Sequence, residues 1–110
     1  MNENQFVFSN GYTLTFDHPV GQHLIVDDVI IIRLTIPPKE KYDQNVFAFS
    51  TSGDFLWRIP RVPLFYEGDD CPYIGLDNHK NGHITLFNWC DTAVIVDAQT
   101  GQIIDKYNSK

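Results

Sequence analysis

The sequence predicts an all-β protein, in which two four-stranded antiparallel meanders pack as a β-sandwich or a half-open barrel beside an N-terminal hairpin. Three observations carry this prediction. Apolar residues come in short runs that turn residues interrupt about every 8 to 12 positions. Helical spacing of apolar residues is almost absent. The hydrophobic fraction of 43% suits a folded core, and a length of 110 residues predicts one domain over residues 1–110.

The first predicted element is a hairpin over residues 1–17. The stretch QFVFSNGYTLTF places Asn10 and Gly11 between two alternating runs, and this pair tolerates the positive φ angles of a type I′ turn. We expect the hairpin to cover a sheet edge that would otherwise template aggregation. The hairpin carries more aromatic surface than the protection of a sheet edge requires, so a homodimer is a further expectation.

The first predicted meander spans residues 20–59. HLIVDDVIIIRLTI gives two strands with a turn at Asp27 and Asp28, and NVFAFSTSGDFLWRI gives two more around a turn that ends at Gly53. The side chains that alternate along these strands are expected to be buried. They are Ile30, Ile32, Leu34 and Ile36 on one strand, and Phe47, Phe49, Phe55 and Trp57 on the last two. VFAF is apolar on both faces, which predicts a central strand.

The second predicted meander spans residues 73–107 and follows a connecting loop over residues 60–72. Its strands are YIGLD, HITLFNW, AVIVD and QIIDKY. TAVIVDAQTGQIIDKY repeats the pattern of the earlier stretch, since both give an apolar strand, a polar turn ending in glycine and a second strand.

These units resemble the outer half of a β-propeller blade of the pyrroloquinoline-quinone-type or WD-like repeat families, with Asp97, Gly101 and Trp57 at matching positions. The resemblance covers about residues 20–59 and 72–107, and it implies two blade-like sheets. A propeller needs at least about four blades, so two such sheets must pack face to face, curl, or close by oligomerising.

Composition excludes several classes of partner. Eight Lys and Arg residues against fourteen Asp and Glu residues give a net charge of −6, which repels nucleic acids and anionic lipid surfaces and suits a basic partner. No signal peptide or membrane span is visible, so a cytoplasmic protein is expected. Cys71 and Cys90 are expected to stay reduced in that compartment.

In a meander, successive connections between strands lie at alternate ends of the sheet. This alternation brings three loops to one end, where we predict a partner-binding site. Residues 39–44, 61–71 and 89–91 should gather at one end, the end at which blade-like proteins present ligands. The aromatic and acidic residues there suit a protein-binding surface. They are Tyr42, Asp43, Phe65, Tyr66, Glu67, Asp69, Asp70, Trp89 and Asp91.

The sequence predicts no catalytic residue, metal site or cofactor. The spacing of a zinc site is not found in Cys71, His79, His83 and Cys90. A simpler explanation for the two histidines is that they flank an Asn-Gly turn. The acidic pairs at positions 27–28 and 69–70 point to opposite sides of an extended chain, so neither converges on one substrate atom.

In size and charge the chain is similar to small bacterial immunity proteins. That resemblance implies a non-enzymatic inhibitor that covers the active site of a basic toxin such as a nuclease. Two alternatives stay open at this point. One is an orphan blade-like module that assembles with itself, and the other is a small carbohydrate-binding domain that stacks a sugar on Trp89.

Overall fold

The computed structural model describes residues 3–37, 40, 42, 44–60, 71–88 and 92–108. These residues form ten strands and no helix. The strands are β1 (Gln5–Val7), β2 (Thr13–Thr15), β3 (Val20–Val26), β4 (Val29–Leu34), β5 (Val46–Ser50), β6 (Phe55–Arg58), β7 (Tyr73–Asn78), β8 (His83–Asn88), β9 (Thr92–Asp97) and β10 (Ile103–Asn108). No helix in this described part of the chain could span a membrane.

The strands form three antiparallel sheets, which confirms the predicted fold class. β1 and β2 make the N-terminal hairpin. The first sheet has the order β3-β4-β5-β6, and the second sheet has the order β10-β9-β8-β7. Each four-stranded sheet is an uninterrupted meander, and neither closes into a barrel.

The main core lies between the two four-stranded sheets. Trp57 on β6 and small or branched side chains from both sheets pack there with almost no exposure. The strand-borne aliphatic members are Val29, Ile31, Val46, Ala48, Leu76, Ile84, Leu86, Val94 and Val96. β4 and β5 are the central strands of the first sheet, as the two-sided apolar pattern of VFAF predicts.

A second core lies between the first sheet and the hairpin. Phe8 is 2% exposed and contacts Phe49 edge to face at 5.8 Å, and Phe6, Leu14 and Phe16 pack beside it. On the sheet side the core is built by Ile30, Ile32, Leu34 and the half-buried Ile36, as predicted from their alternation. The prediction that the hairpin covers a sheet edge is wrong, because it covers the outer face of the first sheet instead.

The hairpin turn also differs from the type I′ prediction. Gly11 has a φ of 90°, but Asn10 is not in the left-handed region. The amide of Gly11 donates to the carbonyl of Phe8, and the amide of Phe8 donates to the carbonyl of Tyr12. These two bonds define a three-residue loop that ends in a left-handed glycine. Asn10 contributes its side chain, whose Oδ1 accepts from the Tyr12 amide at 2.9 Å.

Phe55 is a further departure from the sequence prediction. Phe49 and Trp57 are buried and Phe47 is half-buried, but Phe55 is 61% exposed. Leu56 is the extra residue of a β-bulge, because Ala48 pairs with Trp57 while Phe49 pairs with Phe55. The bulge breaks the alternation, so Phe55 and Trp57 lie on opposite faces of the edge strand β6.

Two side-chain amides join β7 to the first sheet. Asn45 is fully buried, and it donates to the carbonyl of Tyr73 and accepts from its amide, both at 2.9 Å. Gln22 makes the same pair of bonds to the backbone of Leu76, at 2.9 and 3.0 Å. Each amide substitutes for one residue of a β-ladder, so the two sheets are joined at this side by hydrogen bonds as well as by packing.

Candidate partner-binding site

Of the nine residues predicted to bind a partner, Tyr42 is the one that the structure describes. The other eight lie outside the described residues. They are Asp43, Phe65, Tyr66, Glu67, Asp69, Asp70, Trp89 and Asp91.

The described residues that flank the three predicted loops meet at one end of the sandwich. Asn45, at the start of β5, binds the backbone of Tyr73 at the start of β7. The side chain of Asn88, at the end of β8, donates to the carbonyl of Cys71 at 2.6 Å. At the opposite end the amide of Ala98 donates to the carbonyl of Gly82. These contacts join the described flanks of the three loops, and most residues of the loops themselves lie outside the described ranges.

Tyr42 belongs to a polar cluster that also contains Asp17, His18, Glu40 and Arg58. Its hydroxyl donates to Oδ1 of Asp17 at 3.2 Å, and its ring meets the His18 ring edge to face at 4.8 Å. The guanidinium carbon of Arg58 lies 5.5 Å from the centre of the Tyr42 ring. The cluster thus joins the segment before β3 to the segment before β5 and to β6.

His18 lies at the centre of this cluster, between two carboxylates. Its side chain is 14% exposed, its Nε2 pairs with a carboxylate oxygen of Glu40, and its Nδ1 lies 3.2 Å from Oδ1 of Asp17. The Nδ1 contact is an ion-pair contact that does not have the geometry of a hydrogen bond. Because each ring nitrogen faces a carboxylate, the arrangement favours holding the two connecting segments together over taking a proton from a substrate.

The cluster changes the acidity of two of its members. Burial acts to raise the pKa of Asp17, but the contacts with His18 and Tyr42 and a backbone hydrogen bond together outweigh it, and the pKa lies below its ordinary value. Burial raises the pKa of the Tyr42 hydroxyl, and the neighbouring negative charge of Asp17 acts in the same direction. At neutral pH the cluster therefore holds an ionised Asp17 beside a protonated Tyr42.

Arg58 belongs to the cluster through contacts that no sequence pattern indicates. The guanidinium carbon lies 4.7 Å from the centre of the Phe47 ring, and Nε donates to the carbonyl of Gln44 at 2.8 Å. Among the described residues it forms no ion pair, and its contacts are with aromatic faces and backbone. Asp17, His18, Glu40 and Arg58 are distant in sequence and follow no motif, so spacing could not have identified them.

The residues weighed as metal ligands have other structural roles. His79 and His83 flank a turn in which Asn81 and Gly82 have φ angles of 59° and 76°, and the amide of His79 donates to the carbonyl of His83. Cys71 is disulfide-bonded, which overturns the expectation of reduced cysteines, while Cys90 lies outside the described residues. Within the described ranges no group of three or more His, Cys, Asp or Glu residues is arranged to hold a metal ion.

The described acidic residues lie at the surface, and Asp17 and Glu40 are the two that pair with a basic side chain of the described part of the chain, that of His18. Eight of the nine are exposed, and Asp97 is half-buried. Within the described part of the chain, none forms an ion pair with Lys or Arg, and the two ion pairs present both involve His18. The nine are Glu3, Asp17, Asp27, Asp28, Glu40, Asp54, Asp77, Asp97 and Asp105.

Comparison with known proteins gives one match. A family model described as a domain of unknown function, DUF7957, matches residues 1–107. No curated protein and no solved structure matches the chain significantly.

Proposed function

Since the chain belongs to the DUF7957 family, a domain of unknown function, we propose a function from the site itself: a non-enzymatic protein-binding module. In this proposal the protein is a small acidic inhibitor of the immunity-protein kind. It neutralises a basic toxin, such as a nuclease, by covering the toxin's active site.

The observation that carries the proposal is the surface charge. The net charge is −6, and the nine described carboxylates lie at the surface with no Lys or Arg paired to them inside the described ranges. Two of the nine, Asp17 and Glu40, contact His18, and the other seven, with no such contact in the described ranges, keep their full attraction for an external cation. Such a surface accelerates association with a basic protein and repels nucleic acids, and carboxylates can occupy the phosphate positions of a nuclease site.

The proposed contact region is the end of the sandwich that holds Tyr42. Tyr42 is half-buried and supported by Asp17, His18 and Arg58, so little side-chain entropy is lost when it binds. The acidic and aromatic side chains of residues 61–71 and 89–91 are proposed to complete the surface. Both ring nitrogens of His18 face carboxylates, which supports a binding role over activation of a nucleophile.

The proposal is tested by calorimetric titration with a basic toxin encoded beside the gene. We expect tight binding that weakens as salt rises from about 0.01 to about 1 M, because screening shortens the reach of charge from about 30 to about 3 Å. Tyr42→Ala should weaken binding about tenfold or more. Tyr12→Ala is the matched control, because Tyr12 is an exposed tyrosine at the hairpin turn. Absence of binding to such a toxin at low salt would remove this function.

A second candidate function is that of a blade-like module that assembles with itself. This candidate includes the assignment of the chain to a propeller family. Each four-stranded sheet has the consecutive antiparallel order of a propeller blade, which favours this candidate. The edge strands β6 and β10 also expose apolar side chains, with Phe55 at 61%, Leu56 at 42% and Ile104 at 47%. Light scattering on the purified chain distinguishes the two, since a stable ring-shaped oligomer supports self-assembly and a monomer supports an external partner.

The compartment is part of the proposal. An immunity protein that meets its toxin inside the cell works in the cytoplasm. The disulfide at Cys71 argues in the other direction, because cytosolic thiols are normally kept reduced. Fractionation of cells that produce the chain, followed by thiol labelling of each fraction, would decide between a cytoplasmic and an oxidising compartment.

A further inference from the structure

The sequence contains two Asn-Gly pairs, and both lie at the tips of hairpins. Asn10 and Gly11 lie between β1 and β2, and Asn81 and Gly82 lie between β7 and β8. Both asparagines are exposed. An asparagine that precedes glycine loses ammonia readily, because glycine has no side chain to keep its amide nitrogen away from the asparagine side chain. The two pairs therefore offer one reaction in two environments.

This reaction needs water and no enzyme. The amide nitrogen of the glycine forms a bond to Cγ of the asparagine and gives up its proton to water. The bond from Cγ to Nδ2 breaks, and the leaving nitrogen takes up a proton and departs as ammonia. Water then opens the resulting succinimide ring at either of its carbonyls, which gives aspartate or isoaspartate. The peptide group between the two residues must rotate before its nitrogen can reach Cγ.

Hydrogen bonds hold the Asn10 pair away from this reaction. The amide of Gly11, which would be the nucleophile, donates to the carbonyl of Phe8 at 2.9 Å. The side chain of Asn10 is held at both ends, since its Oδ1 accepts from the Tyr12 amide at 2.9 Å and its Nδ2 donates to the carbonyl of Ser52 at 3.2 Å. Attack disrupts this set of bonds, so we expect the pair to react slowly.

The peptide group between Asn81 and Gly82 has no such restraint. The φ angles of 59° and 76° place both residues in the left-handed region, and the amide of His83 donates to the carbonyl of Lys80 at 3.1 Å, as in a type I′ turn. Within the described ranges neither the Asn81 carbonyl nor the Gly82 amide forms a hydrogen bond, and the Asn81 side chain forms none either. This peptide group can therefore rotate without breaking a hydrogen bond of its own.

We propose that Asn81 is a site of spontaneous modification, at which the Gly82 nitrogen displaces ammonia and leaves aspartate or isoaspartate, whereas the fold protects Asn10. The modification adds one negative charge to the net charge of −6. The new charge arises in a turn that already faces a carboxylate, because a Cβ atom placed on Gly82 would be 4.0 Å from Oδ2 of Asp27. The isoaspartyl form also lengthens the backbone of a turn whose Gly82 carbonyl accepts from the Ala98 amide. The inference does not depend on the proposed function, since the reaction needs no partner.

The test compares the two sites within one chain. Purified wild-type protein is incubated at neutral and at mildly alkaline pH and then digested at mildly acidic pH. Mass spectrometry with electron-transfer fragmentation distinguishes aspartate from isoaspartate in each peptide. A parallel sample in concentrated urea loses the fold and keeps both Asn-Gly pairs. Asn81→Gln and Asn10→Gln are matched variants, because the longer side chain closes a ring less readily, and their acidic fractions are followed by anion-exchange chromatography.

In the folded protein we expect position 81 to lose ammonia at least about tenfold faster than position 10, because the hydrogen bonds of Asn10 and Gly11 must break first. In urea the two rates should agree within about threefold, since those bonds are absent. Asn81→Gln should remove most of the acidic fraction, and Asn10→Gln should not. Equal rates in the folded protein, a faster reaction at position 10, or a ratio that urea leaves unchanged would overturn the proposal.

Discussion

The indole of Trp57 lies directly against Gly101. A Cβ atom placed on Gly101 would be 2.6 Å from Cδ2 of Trp57, and the indole Nε1 donates to the carbonyl of Ala98 at 2.8 Å. Trp57 comes from β6 of the first sheet, and Gly101 comes from the turn between β9 and β10 of the second. The two stretches that repeat one pattern in sequence are thus in contact in the fold.

This contact predicts that Gly101→Ala is strongly destabilising. Gly101 has a φ of 75°, so alanine is strained there, and its Cβ also clashes with a buried indole. We expect a loss of about 3 kcal/mol in the free energy of unfolding, measured by urea denaturation. Gly11→Ala is the matched control, because Gly11 has a φ of 90° with open space around it. It should lose only about 1 kcal/mol. Equal losses in the two variants would show that the Trp57 contact contributes nothing.

The buried amide of Asn45 gives a second prediction. Asn45→Ala removes the two bonds to the backbone of Tyr73 and the bond to the carbonyl of Leu34, all of them in a site that water does not reach. We expect a loss of about 3 kcal/mol in urea denaturation. Gln22→Ala breaks the equivalent bonds to Leu76 in a half-buried site, where water can replace them, so its loss should be about 1 kcal/mol. The reverse order of the two losses would contradict the role given to Asn45.

Much of this fold could be predicted because strands and turns are encoded locally. The alternation of Ile30, Ile32 and Leu34 sets a strand and one of its two buried faces, and glycines such as Gly53 end the turns. What escaped prediction depends on distant contacts. The bond between Asn45 and Tyr73 joins residues far apart in sequence, and an asparagine at a strand start gives no sign of its partner.

The errors of prediction have specific physical causes. The bulge at Leu56 cannot be seen in the pattern of β6, and strict alternation places Phe55 on the same face as Trp57. The aromatic face of the hairpin suits a sheet edge and a sheet face equally well, so its pattern does not distinguish the two positions. In the candidate site, Tyr42 was identified by residue type, but its support from His18 and Asp17 is tertiary and carries no sequence signal.

Asp17 gives a prediction for pH dependence. Its pKa is lower in the folded protein than in the unfolded chain, so ionised Asp17 contributes stability above the ordinary carboxyl range. That contribution is lost as the pH falls from about 4 through the folded pKa. Asp17→Asn should therefore reduce the acid sensitivity of the free energy of unfolding between about pH 6 and pH 2. Asp54→Asn, which changes a carboxylate in the turn between β5 and β6, is the comparison. An identical acid response in wild type and Asp17→Asn would exclude this contribution.

The disulfide at Cys71 gives the last prediction. Because the described residues include no free thiol, protein that is denatured without exposure to a reductant should not react with thiol reagents. Reduction should lower the free energy of unfolding by about 2 to 4 kcal/mol, because the crosslink restricts the unfolded chain. A variant with both Cys71→Ser and Cys90→Ser should have the stability of the reduced wild type and should not respond to reductant. If wild-type protein from its native host instead shows two reactive thiols, the chain works in its reduced form, and the cytoplasmic compartment in the proposed function gains support.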